Sequence, residues 1–187
     1  MDAGKILYAK HEGLYTLKFV GRIGYTSNWA FPLSKSLQLF IDQMAREKDY
    51  EYVLIDLSEA TGIDSTNLGL LAEIAKMMIR KFDSKATIIS TNRTVTRTLK
   101  TVGFNALFTI VDRPADFDAP MLELPPVPDS EMNVARMILK AHKTLCELND
   151  DNQLRFQNIV DALESEIIRK EAARKAVLER GRNLPTD

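Results

Sequence analysis

Asp64, Ser65, Thr66 and Asn67 stand where an apolar run, "YVLIDL", has given way to a polar stretch and a second apolar segment opens at Leu68. An acid, two hydroxyls and an amide at a strand-to-helix junction admit three chemistries: a helix cap, a nucleophile or a switch. As a cap, Asp64 or Ser65 would accept a backbone N–H of the following helix, a contact worth about 1 kcal/mol. As a nucleophile, Ser65 would need a base. The chain has two histidines, His11 in an expected hairpin turn and His142 on an expected C-terminal helix, and neither is expected beside a nucleophile or a metal partner. As a switch, the serine would sit at a helix N-terminus, whose unpaired N–H groups and positive dipole end suit a phosphate. Asp56 and Asp64 could form a carboxylate pair, but no cofactor motif or glycine-rich phosphate loop with its lysine accompanies them. These residues argue against an enzyme, and they call for no cofactor and no metal.

The elements that would position this junction follow from periodicity. Residues 4 to 10 and 14 to 21 read as paired strands, with Tyr15, Leu17 and Phe19 alternating with Thr16 and Lys18. Ser27 reads as the N-cap of a helix to about Lys48, with Pro32 in its first turn and Phe31, Leu37, Phe40, Ile41 and Met44 on its apolar stripe. "YVLIDL" reads as a strand buried on both faces. Leu68, Leu70, Leu71, Ile74, Ala75, Met78 and Ile79 form the apolar face of the next helix. "KATIIS" is a strand, "NRTVTRTLKTVGF" a capped helix stopped at Gly103, and "ALFTIV" a last strand. The order ββαβαβαβ implies an α/β fold with a mixed sheet and helices on one or both faces.

Composition sets further limits. Hydrophobic residues make up 45% and charged residues 27%, ordinary values for a globular chain. A net charge of -1 supplies no overall field toward nucleic acid or an anionic membrane. Cys146 is the one cysteine, so no internal disulfide can form. With no secretory signal and no run of about 18 apolar residues, the chain is expected to be cytoplasmic.

The stretch "VLIDLSEATGIDSTNLGLLAEI" resembles the signature of STAS domains, the anti-sigma factor antagonist family, whose loop typically reads D-L-S, a spacer, then D-S-S-G-L-G. The order of elements agrees, and "NRTVTRTLKTVGFNALFTIVDRPADF" resembles the family's closing helix and strand, with a basic-containing helix. The resemblance covers roughly residues 4 to 118. It implies that Ser65 is the phosphoacceptor of a partner serine kinase that doubles as the anti-sigma factor, and that a metal-dependent PPM-type phosphatase removes the phosphate. It implies too that the unphosphorylated domain binds the kinase, with Asp64, Ser65, Thr66, Asn67 and Gly69 at the partner contact. Asn67 replaces the family's usual glycine, and "VGRIGYTS" replaces a stretch that often contains Gly, Leu and Asp.

Domain organisation is expected as a STAS-like domain over 1–118, a proline-rich linker over 119–129 and a helical extension over 130–187. Asp129 or Ser130 caps a helix bearing Val134, Ile138, Ala141, Leu145 and Leu148, and "NDDN" at 149 to 152 breaks it. A second helix carries Phe156, Ile159, Val160, Leu163, Ile167 and Ile168, then becomes strongly charged. This hairpin either packs on its own domain or serves a homodimer or another partner. Three roles stay open: a phosphorylation-controlled antagonist, an assembly scaffold, or a domain that senses a small anionic ligand near residues 62 to 69.

Overall fold

The computed structural model describes residues 4–24, 33–47, 49–113 and 120–182. The expected cap Ser27, Phe31, Pro32 and the boundary between 118 and 119 lie outside the described residues. Six strands form one mixed sheet in the order β5-β4-β3-β2-β1-β6. β1 (Lys5–His11) and β2 (Leu14–Ile23) make an antiparallel hairpin whose turn is Glu12 and Gly13, both at positive φ. From β2 the sheet continues in parallel through β3 (Tyr52–Ile63), β4 (Ala86–Ile89) and β5 (Phe108–Val111).

Each parallel step requires a crossover, supplied by α1 (Leu33–Glu47), α2 (Ser65–Phe82) and α3 (Arg93–Thr101). All three steps run in one direction, so right-handed crossovers place the helices on a common face. Burial follows the strand period on that face: Tyr15, Leu17, Phe19, Val53, Ile55, Leu57, Ala86 and Ile88 are all core residues. The alternate positions of β2 and β3 carry Thr16, Lys18, Leu54 and Asp56, so the second face of β3 is partly polar, with Asp56 buried and Leu54 partly buried. Lys18 there bridges Asp56 and Glu59.

Three further departures from the sequence pattern have physical causes. The polar stretch after Leu57 is not a loop: β3 runs to Ile63, because β2 keeps pairing beside it through two register shifts. Parallel ladder bonds outweigh the weak strand propensity of Glu59, Ala60 and Gly62. The segment "ALFTIV" splits into one helical turn, α4 (Phe104–Leu107), and β5. β5 is not the last strand either, since Leu122 and Glu123 form β6, an antiparallel edge strand on β1. The prolines confine that segment to an edge. Leu124 then enters the core, the Ser36 hydroxyl donates to the Pro125 carbonyl at 2.6 Å, and Lys35 pairs with Asp129.

The C-terminal helices are α5 (Glu131–Cys146), capped by Ser130, and α6 (Asp150–Arg182). Val134, Met137, Ala141 and Leu145 of α5 are buried, and Phe156, Val160 and Ile167 of α6 pack with them. α5 lies on the outer surface of α2, so α2 is buried at nearly every position from Thr66 to Met78 rather than along one face. Asn152, fully buried at the turn into α6, donates to the carbonyls of Val102 at 3.0 Å and Leu145 at 3.1 Å, tying the hairpin to the end of α3. Asn152→Leu leaves both carbonyls without that donor, and a loss of about 1–3 kcal/mol is expected. Urea unfolding would read it as a lower midpoint; an unchanged midpoint would show that the hairpin is not held there.

Candidate functional site around Ser65

The chain enters α2 directly from β3, with the Asp64 N–H donating to the Ile23 carbonyl at 3.0 Å. Asp64 is the N-cap, in extended backbone, and one of its carboxylate oxygens accepts from the Asn67 backbone N–H at 2.9 Å and the Asn67 side-chain amide at 2.8 Å. This resolves the choice between Asp64 and Ser65 as cap. Ser65 takes the first helical position, where its hydroxyl is not needed by the helix end.

That hydroxyl meets α5. Ser65 Oγ lies 2.9 Å from Nε2 of His142, and Nδ1 of His142 lies 2.8 Å from the Ile138 carbonyl oxygen. A carbonyl only accepts, so Nδ1 carries a hydrogen, and in the neutral ring Nε2 accepts the proton of Ser65. The ring is 3% exposed and stands edge-on to Phe156, with centroids 5.8 Å apart. The expectation that neither histidine would stand beside a nucleophile is therefore corrected: His142 is bonded to Ser65 from 77 positions away. His142 lies one turn beyond Ile138, on the side of the helix that carries Leu145, so the apolar stripe held the only sequence hint of its burial. His11, by contrast, is exposed and stands 3.8 Å from Glu12.

The crossing of α2 and α5 is unusually close. A Cβ on Gly69 would lie 2.3 Å from the Ala141 carbonyl oxygen, so the two backbones meet where the side chain is missing. Glu73–Lys140 and Lys76–Glu147 ion pairs flank the contact. Thr66 and Asn67 are buried as well, and Asn67 lies within a right-handed helix rather than in the left-handed backbone that would favour asparagine. Asp56 serves a separate purpose from Asp64, accepting from the Ser58 N–H at 2.8 Å and facing Lys18, so the two acids share no partner. Burial pushes the Cys146 thiol up, away from the thiolate that would make it reactive.

On its open side Ser65 borders a cleft of about 330 Å³, walled by Ile63 and Leu68, by Thr94, Arg97 and Thr98 of α3, and by Arg155 and Phe156 of α6. A larger cavity of about 500 Å³ lies elsewhere, between β1, α1 and residues 124–127, where Lys10 is already paired with Glu47 and Asp49. Among the described residues no cluster of three or more His, Cys, Asp or Glu could hold a metal ion, and no helix is long and apolar enough to cross a membrane.

The family model of the STAS domain matches residues 10–116, more than half of the chain. The chain belongs to the STAS domain family. The matched segment runs from the end of β1 through β5, and β6 and the α5–α6 hairpin lie beyond it. Among solved structures, the anti-sigma factor antagonist SpoIIAA in its unphosphorylated form is similar at 9% sequence identity, over 59% of this chain and 89% of that chain, with a TM-score of 0.46. No match emerges among curated proteins. In this STAS chain the Ser65 junction is covered on one side by its own appended helix.

Gly69→Ala is expected to displace α5, because the added carbon meets backbone rather than a movable side chain, at a cost of about 1–3 kcal/mol. Hydrogen exchange should quicken at α5 amides while β3 and β4 stay protected; unchanged exchange in α5 would mean the crossing tolerates a methyl group.

Proposed function

We propose that this STAS chain is a non-enzymatic, phosphorylation-controlled regulator of the anti-sigma factor antagonist type, acting by partner switching. In its unphosphorylated form it binds a serine kinase that is also the anti-sigma factor; phosphorylation of Ser65 ends that binding, and a PPM-type phosphatase restores it. The observation that carries the reading is the position of Ser65: Asp64 caps α2, and the serine hydroxyl is left free of the cap at the edge of a cleft. Family membership supports the same reading, because Ser65 follows Asp64 within the stretch that resembles the STAS signature.

Transfer from a nucleoside triphosphate forms the Oγ–P bond as the bridging β–γ P–O bond breaks. The nucleoside diphosphate leaves with the electron pair, and the serine proton departs along its hydrogen bond to Nε2 of His142. The product adds a charge of about −1.5 to −2 beside Asp64. A partner surface fitted to a neutral hydroxyl would have to desolvate that dianion, and a penalty of about 3 kcal/mol lowers affinity roughly 100-fold. Since Thr66, Asn67 and Gly69 lie beneath α5, Asp64 and Ser65 are the members of the group left partly exposed to a partner while the hairpin is docked.

A second reading, assembly as a homodimer through the C-terminal helices, is favoured by one observation. α6 extends beyond its last described cross-helix pair, Arg136–Glu171, and carries exposed Val177 and Leu178. Sedimentation of the full chain distinguishes the two.

Ser65→Ala is expected to keep binding the kinase and to resist phosphorylation, while Ser65→Glu binds it about 100-fold more weakly. Phosphate appearing on Thr66 or another residue of Ser65→Ala, found by peptide mass spectrometry, would overturn the assignment.

A further inference from the structure

The cleft beside Ser65 has a one-sided charge pattern. Of the residues that wall it, the two charged ones are Arg97 and Arg155, and the polar remainder are hydroxyls: Ser65, Thr94, Thr98 and Thr101. Neither guanidinium is paired with a carboxylate among the described residues. The neighbouring lysines show the contrast, because Lys76, Lys140, Lys143 and Lys170 all have acidic partners. Both arginines are exposed. Arg93 and Lys100 lie at helical spacing with Arg97 on α3 and add to the positive field.

The other side of Ser65 cannot take a bulky anion. His142 is buried there, fixed through Nδ1 by the Ile138 carbonyl and backed by Phe156, and the α2–α5 crossing leaves no space one turn along. A neutral hydroxyl suits that side; three added phosphate oxygens do not. Rotation about the serine Cα–Cβ bond turns the substituent toward the open cleft.

We infer that the cleft is a phosphoserine site in which Arg97 of α3 and Arg155 of α6 receive the phosphate carried by Ser65. It rests on the reading of Ser65 as a phosphoacceptor and goes beyond it, because one ligand comes from the STAS domain and the other from the appended helix. Guanidinium groups suit this task through paired, charge-assisted N–H···O bonds to phosphate. The phosphate then bridges α3 to α6 and fastens the hairpin over the α2 surface. Phosphorylation thus acts on a partner in two ways, by adding charge at Ser65 and by holding α5 and α6 in place.

Phosphoserine installed at position 65 during synthesis of the full chain tests this without any kinase. The phosphate's second ionisation lies ordinarily near pH 6, and two adjacent guanidiniums should lower it by about one unit or more. In ³¹P NMR titration the phosphorylated chain should show that shift, R97Q and R155Q should each reduce it, and the double variant should return it close to 6. Amide hydrogen exchange at the start of α6 should slow on phosphorylation in the parent chain and not in R155Q. Unfolding midpoints of the unphosphorylated variants, expected to match the parent because both side chains are exposed, confirm that the fold is intact. A phosphate titrating near 6 in the parent chain and indifferent to both substitutions would overturn the inference. So would saturable binding of inorganic phosphate to the unphosphorylated chain, if accompanied by an unshifted Ser65 phosphate, since the cleft would then serve a free anion. Kinase binding unaffected by phosphoserine 65 would instead overturn the partner-switching reading and leave the titration result standing.

Discussion

The close approach of α5 to α2 at Gly69 and Ala141 is the contact on which the rest of the site depends. With no side chain at Gly69, the helix backbones come together to a separation that a Cβ would forbid. That depth sets the register of α5, and one residue beyond Ala141 the ring of His142 arrives at Ser65. The flanking Glu73–Lys140 and Lys76–Glu147 pairs agree with the register, but such partly exposed pairs contribute little compared with packing. Asn152 completes the docking from the other end, where a buried amide satisfies two carbonyls of different elements. The hairpin is thereby an integral layer over the α2 face.

A division of labour among adjacent side chains follows. Asp64 satisfies the end of α2 through Asn67, so Ser65 need not. The serine stands between two unlike environments. On one side is a buried imidazole suited to a neutral hydroxyl; on the other is an open cleft whose charged groups are both cationic. A hydroxyl and a phosphoester would prefer opposite sides, which is the physical requirement for a residue whose chemical state changes what its surroundings do. Because α6 supplies part of the cationic wall, the C-terminal extension belongs to the site as much as to the fold.

Much of the architecture is legible without coordinates, for reasons that are local. Alternation in β2, the helical stripes and the caps at Asn92 and Ser130 depend on residues a few positions apart, so periodicity and capping chemistry report them. Errors cluster where distant pairing decides. Residues 58–63 have loop-like composition yet extend β3, since β2 offers a parallel ladder along that length. Leu122 and Glu123 join an edge strand inside a proline-rich segment because β1 has an open edge to pair.

The candidate site divides along the same line. By itself, the order of residues determined the strand-to-helix junction, the capping capacity of Asp64, the presence of Ser65 beside it and the resemblance to STAS domains. Each of these resides in one contiguous stretch. Only the tertiary structure decided which residue caps, that His142 meets Ser65, that Gly69 faces the molecule's own helix, and that Arg97 and Arg155 share a cleft. Those are relations between α2, α3, α5 and α6, elements up to about ninety positions apart in the chain, and helix packing brings their side chains together through shape that no local spacing encodes.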